Sequence, residues 1–275
     1  MHAMKYETIH NLRIPKIGFG CWGIGGGMHA EPRKDKASLR ALRTALELGY
    51  THFDTAEMYA AGHSEELLGR AVRESGVARE GLFIVSKVTP ANLGYQDVLE
   101  ACARSLRRLG MEYVDLYLVH WPSGSIPLGE SFRALNQLVR EGKVRHLGVS
   151  NFDLGEMKEA LSLCETPLLT NQVPYSLAHR EYARNGVLAY CQEHDMLLTA
   201  YSPVEEGRLR VKAELREIAE AHGATPYQVA LAWLVAQPRV IAIPASKDEG
   251  HIRENLEAAE IKLNAEEMER LERLA

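Results

Sequence analysis

The sequence predicts a (β/α)8 (TIM) barrel with extra helices near its C-terminal end, and three observations carry that expectation. Short apolar, β-branched runs recur eight times along the 275 residues. Segments of helical periodicity separate them. No Ser/Gly/Pro linker or composition break divides the chain, so residues 1–275 are expected to form one domain. A doubly wound open sheet is the alternative if the strand count errs by one or two.

The β runs are KIGFG (16–20), YTHFD (50–54), LFIVSK (82–87), VDLYLVH (114–120), VRHLGVSN (144–151), LLTNQ (168–172), MLLTAYS (196–202) and VIAIP (240–244). In the first connecting helix, Leu39, Leu42, Ala45, Leu46 and Leu48 fall largely on one stripe, and Gly49 offers a C-cap. The same periodicity returns at 64–76, 95–110, 129–142, 154–164 and 183–195. Two helical segments lie between the seventh and eighth runs. The second opens with Thr225 as N-cap and Pro226 at the first helical position. An amphipathic stretch, NAEEMERLERLA (264–275), closes the chain.

Hydrophobic and charged contents of 46% and 25% suit a soluble globular protein. A formal net charge of −5 gives no electrostatic reason to expect nucleic acid or an acidic membrane as partner. Cys21, Cys102, Cys164 and Cys191 lack CxxC spacing, so neither a metal site nor a disulfide framework is expected. The opening MHAMKYETIHNLRIP has no apolar core of the signal-peptide kind, and no apolar stretch approaches the roughly 20 residues that span a bilayer. A reduced, cytoplasmic, monomeric protein is the expectation.

One motif points elsewhere. GFGCWGIGGG (18–27) matches G-x-G-x-x-G through Gly18, Gly20 and Gly23, the spacing that seats a dinucleotide pyrophosphate on a helix N-terminus. That motif needs a helix to start at its last glycine. Here IGGGMHAEPRK follows, and the acid that ends the next run, Asp54, comes about 30 residues after Gly23 rather than about 20. Trp22 also places an indole where a pyrophosphate should approach. The stretch therefore reads as a glycine-rich turn at a strand end.

Barrel chemistry sits at the C-terminal ends of strands. Those ends carry Asp54, Lys87, His120, Ser150 with Asn151, Asn171 with Gln172, and Tyr201. Each alone has an ordinary structural explanation: an Asp in a turn, a satisfied half-buried His, an exposed Lys. Together they converge on one mouth and favour catalysis.

FDTAEMY (53–59), SK at Lys87, LVHWP (118–122), GVSNF (148–152), NQ at Asn171, AYSP (200–203) and IPASKDEGHIRENL (243–256) resemble the aldo-keto reductase family, in family order and nearly end to end. The resemblance implies a catalytic tetrad of Asp54, Tyr59, Lys87 and His120. It implies that Ser150, Asn151 and Gln172 hold a nicotinamide carboxamide and that Tyr201 stacks on the ring. The remaining cofactor contacts would come from Ser202, Pro203 and Leu209, and from Ser246, Lys247, His251, Glu254 and Asn255 where a strand leads into a helix N-terminus. Many members carry Lys before that Ser and Arg five residues after it; this sequence has Ala245 and His251. NADP(H) is the expected cofactor, with NAD(H) as the alternative.

The physical logic agrees. Hydride addition to a carbonyl leaves charge on oxygen, so a proton donor must stand beside it. Lys87 near Tyr59 should lower the tyrosine pKa from its ordinary value of about 10, with Asp54 keeping Lys87 charged. Cys21, Trp22, Met58 and Trp121 are expected to wall an apolar mouth for a small-molecule carbonyl substrate. Short loops after the fourth and seventh runs, and no long tail after the last helix, suggest an open pocket of broad specificity. Two rival readings are a lyase forming a Schiff base on Lys87 and a non-catalytic, cofactor-sensing subunit.

Overall fold

A computed structural model describes residues 5–274. The first four residues of the polar opening stretch, and Ala275 at the end of the last amphipathic segment, lie outside them. Eight parallel strands form one sheet in sequential order, each hydrogen-bonded to the next along the chain. They are β3 (Phe19–Gly20), β4 (His52–Asp54), β5 (Phe83–Val88), β6 (Val114–Val119), β7 (Val144–Ser150), β8 (Leu168–Pro174), β9 (Leu197–Tyr201) and β10 (Val240–Ala242). The sheet curls until its edges meet. Ile17 bridges Ala242 in parallel, and Gly18 N donates to Ala242 O at 2.8 Å while Ala242 N donates to Lys16 O at 2.9 Å. This is the expected (β/α)8 fold.

Helices alternate with the strands: α1 (Asp35–Glu47), α2 (His63–Ser75), α3 (Tyr95–Leu109), α4 (Leu128–Arg140) and α5 (Leu154–Leu163). The segment at 183–195, expected as one helix, is two: α6 (Glu181–Arg184) and α7 (Val187–Glu193). Gly186 breaks it by adopting φ 92, a left-handed turn that glycine takes without a Cβ penalty. Next come α8 (Ala213–Ala221), α9 (Pro226–Ala236), α10 (Glu249–Glu257) and α11 (Ala265–Glu272). Thr225 caps α9 as expected, exchanging side-chain bonds with Gln228 in a capping box. From Gln228 to Val235 α9 is buried on every side, which its almost unbroken apolar sequence allows.

An N-terminal hairpin, β1 (Tyr6–Ile9) and β2 (Leu12–Pro15), was not expected. Ile9 and Ile14 insert into the barrel interior against Val85, Leu116, Leu118, Leu169, Leu197 and Ile241. A second, larger core lies between strands and helices. The barrel is therefore closed at its base by the hairpin and open only where the strands end.

Close helix packing explains one glycine outside the site. A Cβ on Gly69, in the middle of α2, would overlap the carbonyl group of Leu109. Ala normally stabilises a helix interior over Gly by about 1 kcal/mol. Here Gly69→Ala is expected to lower the melting temperature instead, because overpacking costs about 1–3 kcal/mol. A raised melting temperature would show that α2 and α3 have slack between them.

Candidate active site

The strand ends bring four side chains together. Asp54 ends β4 and Lys87 lies in β5, next to it in the sheet. Tyr59 starts a single 3-10 turn, Tyr59–Gly62, beyond β4, and His120 follows β6. Lys87 Nζ donates to Asp54 Oδ1 at 2.5 Å, to the Thr55 carbonyl at 2.8 Å and to the Tyr59 hydroxyl at 3.2 Å. The second oxygen of Asp54 accepts from Gln172 Nε2 at 2.8 Å. The Tyr59 ring meets His120 edge-on at 5.6 Å and Trp22 at 5.1 Å, and His120 stacks on Trp121 at 4.1 Å. Ala60 and Ala61, directly after Tyr59, take left-handed φ of 51° and 53°, and Gly27 O holds Ala60 N at 2.7 Å. That unfavourable turn redirects the chain into α2 immediately past the tyrosine.

Burial governs the electrostatics. Lys87 has no solvent exposure. Burial acts to lower its pKa, but Asp54 and the Tyr59 oxygen outweigh it, and the net shift is upward. The ammonium stays charged. Tyr59 departs from expectation: burial raises its pKa more than Lys87 lowers it, so the free hydroxyl sits above its ordinary value. Burial, reinforced by Lys87, pushes His120 down to about 2, and its Nδ1 finds no hydrogen-bond partner among the described residues. His120 is neutral at every ordinary pH.

Asp54, Tyr59 and His120 wall a cavity of about 610 Å³, with Lys87 behind them. Its wall also includes Ser150, Gln172, Tyr201, Ser246 and Lys247. The Aldo/keto reductase family model matches residues 16–275. The chain belongs to the aldo/keto reductase family. It is 40% identical over 281 aligned positions to the methylglyoxal reductase YeaE of Escherichia coli K12, covering 99% of this chain and 95% of that one. It is 36% identical to the glyoxal reductase of Bacillus subtilis, covering 97% and 91%. A thermostable aldo-keto reductase crystallised with the inhibitor epalrestat superposes with a TM-score of 0.96 at 46% identity, over 99% of this chain and 100% of that one. The Klebsiella pneumoniae aldo/keto reductase in complex with NADP and acetate gives 0.88 at 39%, over 99% and 95%.

In this reductase the residues expected along the cavity divide into two sets. Trp22, Met58, Trp121, Ser150, Gln172, Tyr201, Ser202, Pro203, Ser246 and Lys247 line it. Asn151 stands behind: Tyr201 OH donates to its Oδ1 at 2.9 Å, while its Nδ2 donates to Ser150 Oγ and to His120 O, both at 3.0 Å. Asn171 is scaffold, donating to Phe152 O at 2.9 Å on the helix side of the barrel. Cys21, expected in the apolar mouth, does not line the cavity. It is fully buried, with Sγ 4.0 Å from Phe19 O, because the chain keeps strand-like pairing there through Cys21 N to Asp54 O. Leu209 is packed into the core between strands and helices and does not line the cavity. His251, Glu254 and Asn255 lie one step back on α10, outside the cavity wall; His251 N bonds the helix cap Asp248 at 3.0 Å.

The glycine-rich stretch behaves as a turn. Gly23, Gly25 and Gly26 have φ of 85°, 73° and 141°, and no helix opens on them. Gly18 and Gly20 make room for the scaffold: an added Cβ would stand 2.6 Å from His52 Nδ1 or from Ile243 O. Sequence reasoning missed Met28, Val204 and Glu206 in the wall. The glycines folding Met28 back toward Tyr59 were the available signal for it.

The two histidines nearest Tyr59 in sequence and space should titrate oppositely. His63 bonds Glu66 at 2.7 Å and Asp35 at 2.9 Å; burial opposes, but these carboxylates raise its pKa. In NMR titrations His120 should stay neutral from about pH 5 to 9, while His63 titrates above the ordinary value of about 6.5. A His120 transition near 6.5 would mean that water reaches the ring.

Proposed function

We propose that the reductase converts aldehydes and ketones to alcohols with NADPH, with Tyr59 as the proton donor. The observation that carries this reading is the buried Asp54–Lys87–Tyr59 chain, ending on a cavity wall beside neutral His120. Relatives named as methylglyoxal and glyoxal reductases, and the NADP complex of the Klebsiella enzyme, support the substrate class and the cofactor.

The donor set fits a nicotinamide dinucleotide. Gln172 and Ser150 offer amide and hydroxyl partners, and the Tyr201 ring is fixed by its hydroxyl on Asn151. Among the wall residues Lys247 is the one Lys or Arg, next to Ser246 in the chain and donating to Gly23 O at 3.2 Å. A nicotinamide held by these residues would supply the hydride for the carbonyl carbon. The protein's residues manage the oxygen. Tyr59 gives its proton to the developing alkoxide, and the Lys87 ammonium at 3.2 Å stabilises the tyrosinate that remains. Asp54 keeps Lys87 charged and aimed. His120, neutral and edge-on to Tyr59, offers a ring N–H to the same oxygen. Trp22, Met28, Met58 and Trp121 present an apolar mouth suited to small aldehydes, α-oxoaldehydes among them.

A Schiff base on Lys87 needs a neutral, reachable amine, and a fully buried ammonium with three oxygen partners argues against it. A cofactor-sensing subunit would bind NADPH without useful turnover, so an assay with a carbonyl panel separates it from an enzyme. In that assay Tyr59→Phe should lose at least about 100-fold in kcat, the usual scale of a lost general acid, while NADPH still binds. Undiminished turnover in that variant would remove Tyr59 from the chemistry.

Lys247 makes a second expectation. As the one Lys or Arg on the cavity wall, it would take the place of the basic residues that Ala245 and His251 do not supply. Lys247→Ala should raise KM for NADPH about tenfold and leave KM for NADH nearly unchanged, since one charge-assisted contact is worth about 1.5–3 kcal/mol. Equal effects on both cofactors would place the 2′-phosphate elsewhere.

A further inference from the structure

We propose that Gln172 is a positioning residue for the proton-donating chain as well as a cofactor contact, its amide N–H fixing Asp54 while its amide oxygen is left for the carboxamide. The inference rests on the reading of Asp54, Lys87 and Tyr59 given above. Asp54 is paired with a charged lysine, so it is ionised and accepts only; the group facing its Oδ2 at 2.8 Å must be the NH2 end of Gln172. Both partners are almost completely buried, at 1% and 2% exposure, where they meet the cavity wall. With one N–H on Asp54, the amide is oriented so that its oxygen is left as an acceptor, the polarity a carboxamide N–H requires.

The backbone of Gln172 is pinned as firmly as its side chain. Its carbonyl takes Ser150 Oγ at 2.8 Å and Asn151 N at 3.0 Å. From there the bonds run through Asn151 to Tyr201 in one direction, and through Asp54 and Lys87 to Tyr59 in the other. Gln172 is the link between the wall that would hold the nicotinamide and the group that would deliver the proton. Loss of its donor frees one Asp54 oxygen and loosens the aim of Lys87.

The test is Gln172→Glu, alone and with Asp54→Asn. The introduced carboxyl group would still accept a carboxamide N–H, but next to Asp54 it can donate only when protonated. Its folded pKa therefore rises above the unfolded value of about 4.3. The sign follows: the penalty is absent below that value, grows as pH rises toward the folded pKa and is complete above it. Without any cofactor, Gln172→Glu should melt about 5 °C or more below the wild type at pH 8, and the gap should close toward pH 5. In the Asp54→Asn background the sign reverses. There the amide introduced by Asp54→Asn can donate to the new carboxylate, which also returns an anion near Lys87, so Gln172→Glu should raise the melting temperature. In turnover, Gln172→Glu should lose at least about tenfold in kcat at pH 8 and recover as pH falls, with KM for NADPH within about threefold.

If Gln172→Glu alone fails to fold and the double variant folds, the coupling is supported. The same melting penalty in both backgrounds overturns it, as does a double variant that fails to fold where Asp54→Asn folds. A kcat that matches the wild type at all pH values, with only KM raised, also overturns it. The melting experiments do not depend on turnover. An active Tyr59→Phe would defeat the proposed mechanism while leaving the Gln172–Asp54 coupling to stand or fall on its own.

Discussion

Everything at the mouth of this barrel depends on one ammonium group placed where water cannot reach it. Burying a lysine charge costs several kcal/mol after relaxation, and the cost is met only with close, well-aimed partners. Lys87 has three: a carboxylate, a backbone carbonyl and a phenolic oxygen. Each comes from β4 or the loop after it, so β4 and β5 must keep their register for the charge to survive. Asp54 in turn is held by Gln172 from β8, on another part of the barrel. The ion pair is thus a constraint on the whole sheet. A strand slipped by one residue would turn Lys87 outward and leave Asp54 unpaired inside.

The proton chemistry follows from how unevenly burial acts on neighbouring groups. It opposes charge on all of them. Of Lys87, Tyr59 and His120, Lys87 alone has enough compensation to stay ionised, while the other two are kept neutral. A site with one permanent cation and two neutral hydrogen-bond donors suits a substrate oxygen that gains negative charge during reaction. The left-handed Ala60 and Ala61 show that backbone comfort is given up to hold the tyrosine in that company.

Much of this is legible in the sequence because two signals coincide. Apolar alternation marks the strands, and a polar residue at the end of each run marks the mouth, which brings Asp54, Lys87, His120, Ser150, Gln172 and Tyr201 to one place. What is hidden depends on non-local geometry. Cys21 stands next to wall-forming Trp22, yet continued pairing with Asp54 turns it into the core. The direction of the Tyr59 shift requires knowing how much burial surrounds its hydroxyl, which no spacing reveals. The N-terminal hairpin is hidden because its turn, His10 and Asn11, takes left-handed φ of 46° and 65° without the Asn-Gly pair that usually announces it. The break in the helix at 183–195 was visible as Gly186, but the apolar periodicity runs through it.

The seam of the barrel has a consequence for how the protein is made. Lys16, Gly18 and Gly20 find their partners at Gln237, Ala242 and Pro244, more than two hundred residues later. A chain emerging from the ribosome has the Asp54–Lys87 pair and most helices before it has anything to close against. Until the stretch around Val240 is released, the first strand keeps an open edge and the barrel interior stays wet. Closure is a contact across more than two hundred residues, slow to find because of the loop that must be drawn together. The reductase acquires a closed barrel around its active site only once β10 is free to pair.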